Sequence, residues 1–98
     1  MLRKESRFQA DLKKRLLKEF PGAYICKTDA NQTQGIPDLL ILYKKRWAML
    51  ECKRCSSASH RPNQDRQVER FDEMSFARFI YPENEEDVIN ELREAFGS

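Results

Sequence analysis

Long apolar runs are missing from this 98-residue chain. No stretch approaches the roughly 20 residues that a membrane-spanning helix needs, and the basic N-terminus lacks the apolar segment of a secretory signal. The membrane is thereby excluded as a partner, and a cytoplasmic location is the expectation. Cysteine is scarce: Cys26, Cys52 and Cys55 are three in number, too few and odd for a disulfide framework, as befits a reducing compartment. Cys52 and Cys55 have C-x-x-C spacing, but a structural zinc site takes four ligands, and only Cys26 and His60 remain to complete it. With three glycines and four prolines, nothing reads as a linker, a repeat or a low-complexity tract. What is present, 40% hydrophobic and 35% charged residues, is the composition of one globular domain spanning 1–98, whose active site must share its single core.

The net charge of +2 conceals an asymmetry. Residues 1–27 and 44–70 each carry eight Lys/Arg against three Asp/Glu, whereas residues 71–98 carry two against eight. If folding gathers the two basic segments on one side, the result is a face for a polyanion, with nucleic acid the obvious one. Taken alone, such charge runs are better read as the solvated faces of helices.

Phe8, Leu12, Leu16 and Phe20 recur every four residues and make one stripe of a helix over 4–20, which Pro21-Gly22 stops. Glu5 falls between Leu12 and Leu16 on the helical wheel, so an acid interrupts the stripe; Glu19 also falls within the apolar arc. Residues 23–27 form a short candidate strand, followed by a polar loop over 29–35. Residues 38–43, DLLILY, are a continuous apolar run of the kind buried on both faces, and residues 46–54, RWAMLECKR, are a further strand joined to it through Lys44-Lys45. Pro62 and Asn63 open a helix to about Met74 with Val68, Phe71 and Ser75 inward and Gln64 between the first two on the wheel. Residues 77–81 form a last strand. Asn84 caps a final helix bearing Val88, Ile89, Leu92, Ala95 and Phe96, and Gly97 ends it. The order α-β-β-β-α-β-α predicts an α/β fold, a small mixed sheet flanked by helices.

A hairpin closed at Lys44-Lys45 sets Tyr43 against Arg46 and, counting outward, Asp38 directly opposite Glu51. Opposed residues have Cβ atoms about 4.5–5.5 Å apart, and two carboxylates at that distance repel unless a proton or a cation sits between them. Side chains alternate along a strand, so Lys53 shares the face of Glu51 while Cys52 points the other way, and Trp47 sits on the Glu51 face, where it packs under the first helix. Two acids and an ammonium on one patch suit phosphodiester hydrolysis. Mg²⁺ is bound by one or two carboxylates plus waters and phosphate oxygens, and it polarises the phosphate and acidifies a bound water. Glu5 and Gln64 are candidates to join the patch, with Gln67 the rival to Gln64. His60 reads as a loop residue or phosphate contact rather than a general base. Lys44, Lys45, Arg46, Arg54, Arg61 and Arg66 flank the proposed site as candidate nucleic-acid contacts.

Gly35-Ile36-Pro37-Asp38, twelve further residues, then Glu51-Cys52-Lys53 resembles the PD-(D/E)xK nuclease signature. The helix acid before the first strand, the G-x-P-D step, the E-x-K strand and the Gln on the next helix are most similar to the VRR-NUC branch, particularly its compact stand-alone phage members. The resemblance implies a restriction-endonuclease-like core. It also implies a metal, Mg²⁺ or Mn²⁺, held by Asp38, Glu51 and the Cys52 backbone carbonyl, with Lys53 assisting the nucleophilic water and Glu5 and Gln64 completing the site, Glu5 at the metal. It further implies a deoxyribonuclease acting on branched or junction DNA, a homodimer, and, for a phage protein, the host cytoplasm. The rival expectations are a nuclease-fold DNA-binding module without catalysis and a basic protein–protein adaptor.

Overall fold

The computed structural model describes residues 4–97. Its elements are α1 (Glu5–Glu19), β1 (Tyr24–Lys27), β2 (Leu39–Tyr43), β3 (Arg46–Cys52), α2 (Pro62–Met74), β4 (Ala77–Ile80) and α3 (Glu85–Ala95), in the expected order. The strands lie in the order β1-β2-β3-β4, antiparallel across the first two pairings and parallel between β3 and β4. The parallel pairing follows from connectivity: α2 carries the chain back to the start of the sheet, as a crossover must.

Alternation along β3 divides the molecule into two apolar layers. Ala48, Leu50 and Cys52 face α1 and α3, where they meet Phe8, Leu12, Leu16, Val88, Ile89 and Leu92. Trp47 and Met49 face α2, with Val68, Phe71 and Phe79. This corrects the placement of Trp47, whose ring lies edge-on to Phe71 at 6.3 Å and not under the first helix. Glu51 and Lys53 share the parity of Trp47, so the candidate site lies on the α2 side of the sheet.

Three other expectations need revision. The 38–43 run is not covered on both faces: α2 packs chiefly on β3 and β4, and Leu42 is 43% exposed beside Tyr24, itself 65% exposed. Ser75 is exposed rather than inward; it ends α2 and its hydroxyl donates to the Trp47 carbonyl at 2.5 Å. The basic segments also do not join on one face. Arg15 of α1 bonds Glu85 and Glu86 of α3 at 2.5 and 2.8 Å, and Arg93 of α3 bonds Glu19, so the basic helix is neutralised by the acidic one beside it. These carboxylates hold the Arg15 guanidinium firmly charged. Among the described residues, no helix is long and apolar enough to cross a membrane.

Candidate active site

The hairpin has the register that its apolar pattern requires: Tyr43 opposes Arg46 and Leu39 opposes Leu50. One step further out, Asp38 lies at the end of β2 across from Glu51. Its Oδ2 accepts the Cys52 backbone N–H at 2.9 Å, tying the acid to the neighbouring strand where the ladder ends. On a strand, a residue's N–H and C=O point to the same side, so the Cys52 carbonyl faces the Asp38 side as well. The Pro37-Asp38 step is itself anchored: the Thr28 hydroxyl donates to the Pro37 carbonyl at 2.6 Å, and the Thr28 N–H donates to the Asp38 carbonyl at 2.9 Å.

Gly35 explains how the preceding loop reaches this point. Its φ of +77° is a conformation that side chains rarely adopt, and a Cβ there would come within 2.8 Å of the Asn63 carbonyl oxygen. Only glycine lets the loop press against the first turn of α2, and that contact brings Asp38 and Gln64 to the same place.

Gln64 is the organiser of the site. Its Oε1 accepts from Lys53 Nζ at 2.8 Å and from the Arg61 N–H at 3.1 Å, while its Nε2 donates to Glu51 Oε2 at 3.1 Å. With three bonds fixing the amide, acid and ammonium are held apart at 3.9 Å rather than collapsed into a close ion pair. Lys53 is 6% exposed and also donates to the Ser59 carbonyl at 3.2 Å. Gln67, its rival, reaches instead toward the Gln34 carbonyl at 3.4 Å.

Glu51 is 3% exposed, and its Oε1 is buried with no hydrogen-bond partner among the described residues. An orphaned buried carboxylate oxygen is costly unless a proton or cation occupies the adjoining space. Burial first, and then the neighbouring Asp38 charge, push the Glu51 carboxyl up to about 8, with Lys53 opposing. Burial likewise raises Asp38, against the lowering effects of the Cys52 N–H and Lys53. Two acids that resist ionising together, one with an oxygen left open, fit a hard divalent cation, which needs only one or two carboxylates and completes its shell with water and phosphate. A cleft of about 290 Å³ lined by Asp38, Glu51, Gln64, Asn31, Gly35 and Arg61 gives access to them.

Glu5 is brought only part of the way. It lies exposed in the first turn of α1, near enough for its charge to push Glu51 upward, and no group of three or more His, Cys, Asp or Glu able to hold a metal is assembled among the described residues. Glu19 is not a competitor, since it lies at the other end of α1, about 21 Å away at 1.5 Å per residue, paired with Arg93 and Arg15. The Cys52 thiol points into the α1–α3 layer, where burial and then the two acids hold it protonated. Cys55 instead contacts Ser57, so the C-x-x-C pair does not converge.

Among the basic residues, Arg61 lines the cleft, and Arg54 and Arg66 are exposed on the segments beside it. Lys44 and Lys45 are not brought there: they turn the hairpin at its far end, about 20 Å from Asp38 along β2 at ~3.3 Å per residue. Arg46 is held at that end too, donating to the Ala95 carbonyl at the close of α3. Ser59, Thr28 and Asn63 were not legible as site residues, because two of them act through backbone carbonyls and Thr28 acts by holding one. Gly35 carried the one available signal, standing three residues before Asp38 at the end of a polar loop.

A mixed four-stranded sheet with paired acids at the ends of β2 and β3 and a lysine one step beyond is a restriction-endonuclease-like core of the PD-(D/E)xK type. Within that class the chain is similar to a VRR_NUC domain of known structure, with 25% identity over 92% of this chain and 94% of that one and a TM-score of 0.68. Hjc, a Holliday junction resolvase from the archaeal hyperthermophile Archaeoglobus fulgidus, shares the fold at 15% identity, covering 78% of this chain and 67% of its own, with a TM-score of 0.53. No protein-family model and no curated protein matches the sequence.

Proposed function

We propose that residues 1–98 act as one nuclease domain that hydrolyses DNA phosphodiester bonds with Mg²⁺ or Mn²⁺. The observation that carries this reading is the open Oε1 of buried Glu51, a carboxyl that feels the Asp38 charge and has the Lys53 ammonium 3.9 Å from its other oxygen. Asp38, Glu51 and the Cys52 carbonyl would hold the metal, with Glu5, whose charge reaches Glu51 from the first turn of α1, as a further acid. When bound, the metal would polarise the scissile phosphate and lower the pKa of the attacking water. Lys53 orients that water and offsets negative charge developing on the phosphate oxygens. Gln64 keeps the ammonium aimed, and Arg54, Arg61 and Arg66 neutralise neighbouring phosphates.

Branched DNA is the substrate class to examine first, given the likeness to Hjc, a junction resolvase by name. A symmetric dimer would present two such sites to a branch, and a protein of this size offers a small footprint alone. The test is cleavage of single-stranded, duplex, flap and four-way-junction DNA with Mg²⁺, Mn²⁺ or chelator. Wild-type protein should cut only with metal, and Asp38→Asn or Lys53→Ala should lower the rate by about 100-fold or more, as loss of one transition-state contact does. Chelator-resistant cleavage, or full activity in either variant, overturns the mechanism. Binding without cleavage under every condition makes the chain a non-catalytic DNA-binding module.

A further inference from the structure

A second groove, of about 580 Å³, runs along α2 and is lined by Gln34, Asn63, Arg66, Gln67, Arg70 and the acids Glu69 and Glu73. It shares Gln34 and Asn63 with the acid-lined cleft, so the two adjoin at the point where Gly35 presses the loop against α2. We infer that this groove holds a single unpaired DNA strand next to the scissile phosphate, and so selects substrates with a single-stranded arm at the cut; the inference rests on the nuclease reading.

Three features of the groove support that occupant. Its volume lies within the ~300–1,000 Å³ range of small-ligand sites, which gives room for one or two nucleotides and cannot enclose a duplex. Arg66 and Arg70 stand one helical turn apart, about 6 Å along the axis. Both are exposed, and among the described residues neither makes an ion pair with Glu69 or Glu73, which leaves both guanidinium groups open to phosphates. Asn63 and Gln67 project from the side of α2 that meets the loop, and amides of this kind bond sugars and base edges. On the helical wheel the arginines lie between this amide row and the outer acids. Glu69 and Glu73 therefore cancel the net charge of the groove and press a strand inward toward the loop, disfavouring a polyanion that merely lies across the helix.

The test measures binding in chelator, where cleavage is stopped, using fluorescent oligothymidylate and its duplex with oligoadenylate over a range of salt. Arg66→Gln with Arg70→Gln should weaken single-strand binding roughly 10-fold and reduce the magnitude of the log–log salt slope by about 1.4, two phosphates at about 0.7 each. Glu69→Gln with Glu73→Gln should tighten it. Lys14→Gln with Lys18→Gln on exposed α1 removes the same charge and should change it much less. All these side chains are at the surface, and thermal melting confirms that each variant is folded. Unchanged single-strand affinity in the arginine pair, an equal loss on duplex, or no single-strand binding by wild type overturns the inference. Arginine-dependent binding without metal-dependent cleavage would remove the nuclease reading and leave the groove standing. Cleavage with arginine-independent binding would do the reverse.

Discussion

Glu51 shows how a single side chain can be unfavourable for the fold and suited to chemistry. In the unfolded chain its carboxyl titrates near the ordinary 4.5, whereas in the fold burial and Asp38 hold it near 8. Between those values the folded state binds more protons than the unfolded state, so the metal-free protein loses stability as pH rises from about 4.5 to about 8. The expected outcome is a melting temperature, measured in chelator, that falls across this window for wild type and falls much less for Glu51→Gln, whose amide carries no charge at any pH. An unchanged pH profile in Glu51→Gln would mean that Glu51 is not the group responsible. The same residue scale shows what sequence could supply. Asp38, Glu51 and Lys53 were legible because strand alternation and a hairpin count place them without knowledge of anything else. Gln64 was legible as a polar break in an apolar stripe, but its three hydrogen bonds were not, since they depend on where α2 docks. The backbone carbonyl of Ser59 carries no side-chain signal at all.

At the level of elements, the hairpin between β2 and β3 is correctly registered despite an ill-suited turn. Lys44 adopts φ +58°, a left-handed conformation that disfavours a residue with a Cβ, and lacks the Asn-Gly or Asp-Gly pair that makes such turns easy. Apolar register overrides turn chemistry here, because a slip of one residue would turn Leu39, Ile41 and Leu50 out of the core. Lys44→Gly should therefore stabilise the protein by about 1 kcal/mol, raising the melting temperature by about 4–8 °C for a domain of this size. Since the turn lies at the far end of the hairpin from Asp38, the variant should leave cleavage unchanged. A drop in stability would show that the Lys44 ammonium, 5.1 Å from the Tyr43 ring centroid, contributes more than the backbone strain costs. Helix partnership was the least legible feature at this scale. Periodicity identified three amphipathic helices but not which layer each would cover, and Trp47 was misplaced for that reason.

On the scale of the molecule, the charge of each segment is legible in the sequence but the arrangement of the segments is not. The basic α1 lies against the acidic α3 because both pack on one side of the sheet, and Arg15 and Arg93 bridge them. On the other side of the sheet, Arg61, Arg66 and Arg70 line the adjoining grooves beside α2. The fold thus separates a charge-neutralised, apolar layer that supplies stability from a layer that leaves two acids and an ammonium poorly solvated. Because this second layer has the larger unmet demand, a ligand that meets it should stabilise the whole protein by mass action.

Thermal melting at pH 8 with increasing Mn²⁺ or Mg²⁺ tests that claim most directly. Wild-type protein should gain melting temperature with metal concentration, while Glu51→Gln should begin higher in chelator and respond little to metal. A wild type that is indifferent to millimolar metal, or a Glu51→Gln variant with the same metal response, would contradict the assignment of Asp38 and Glu51 as a metal site.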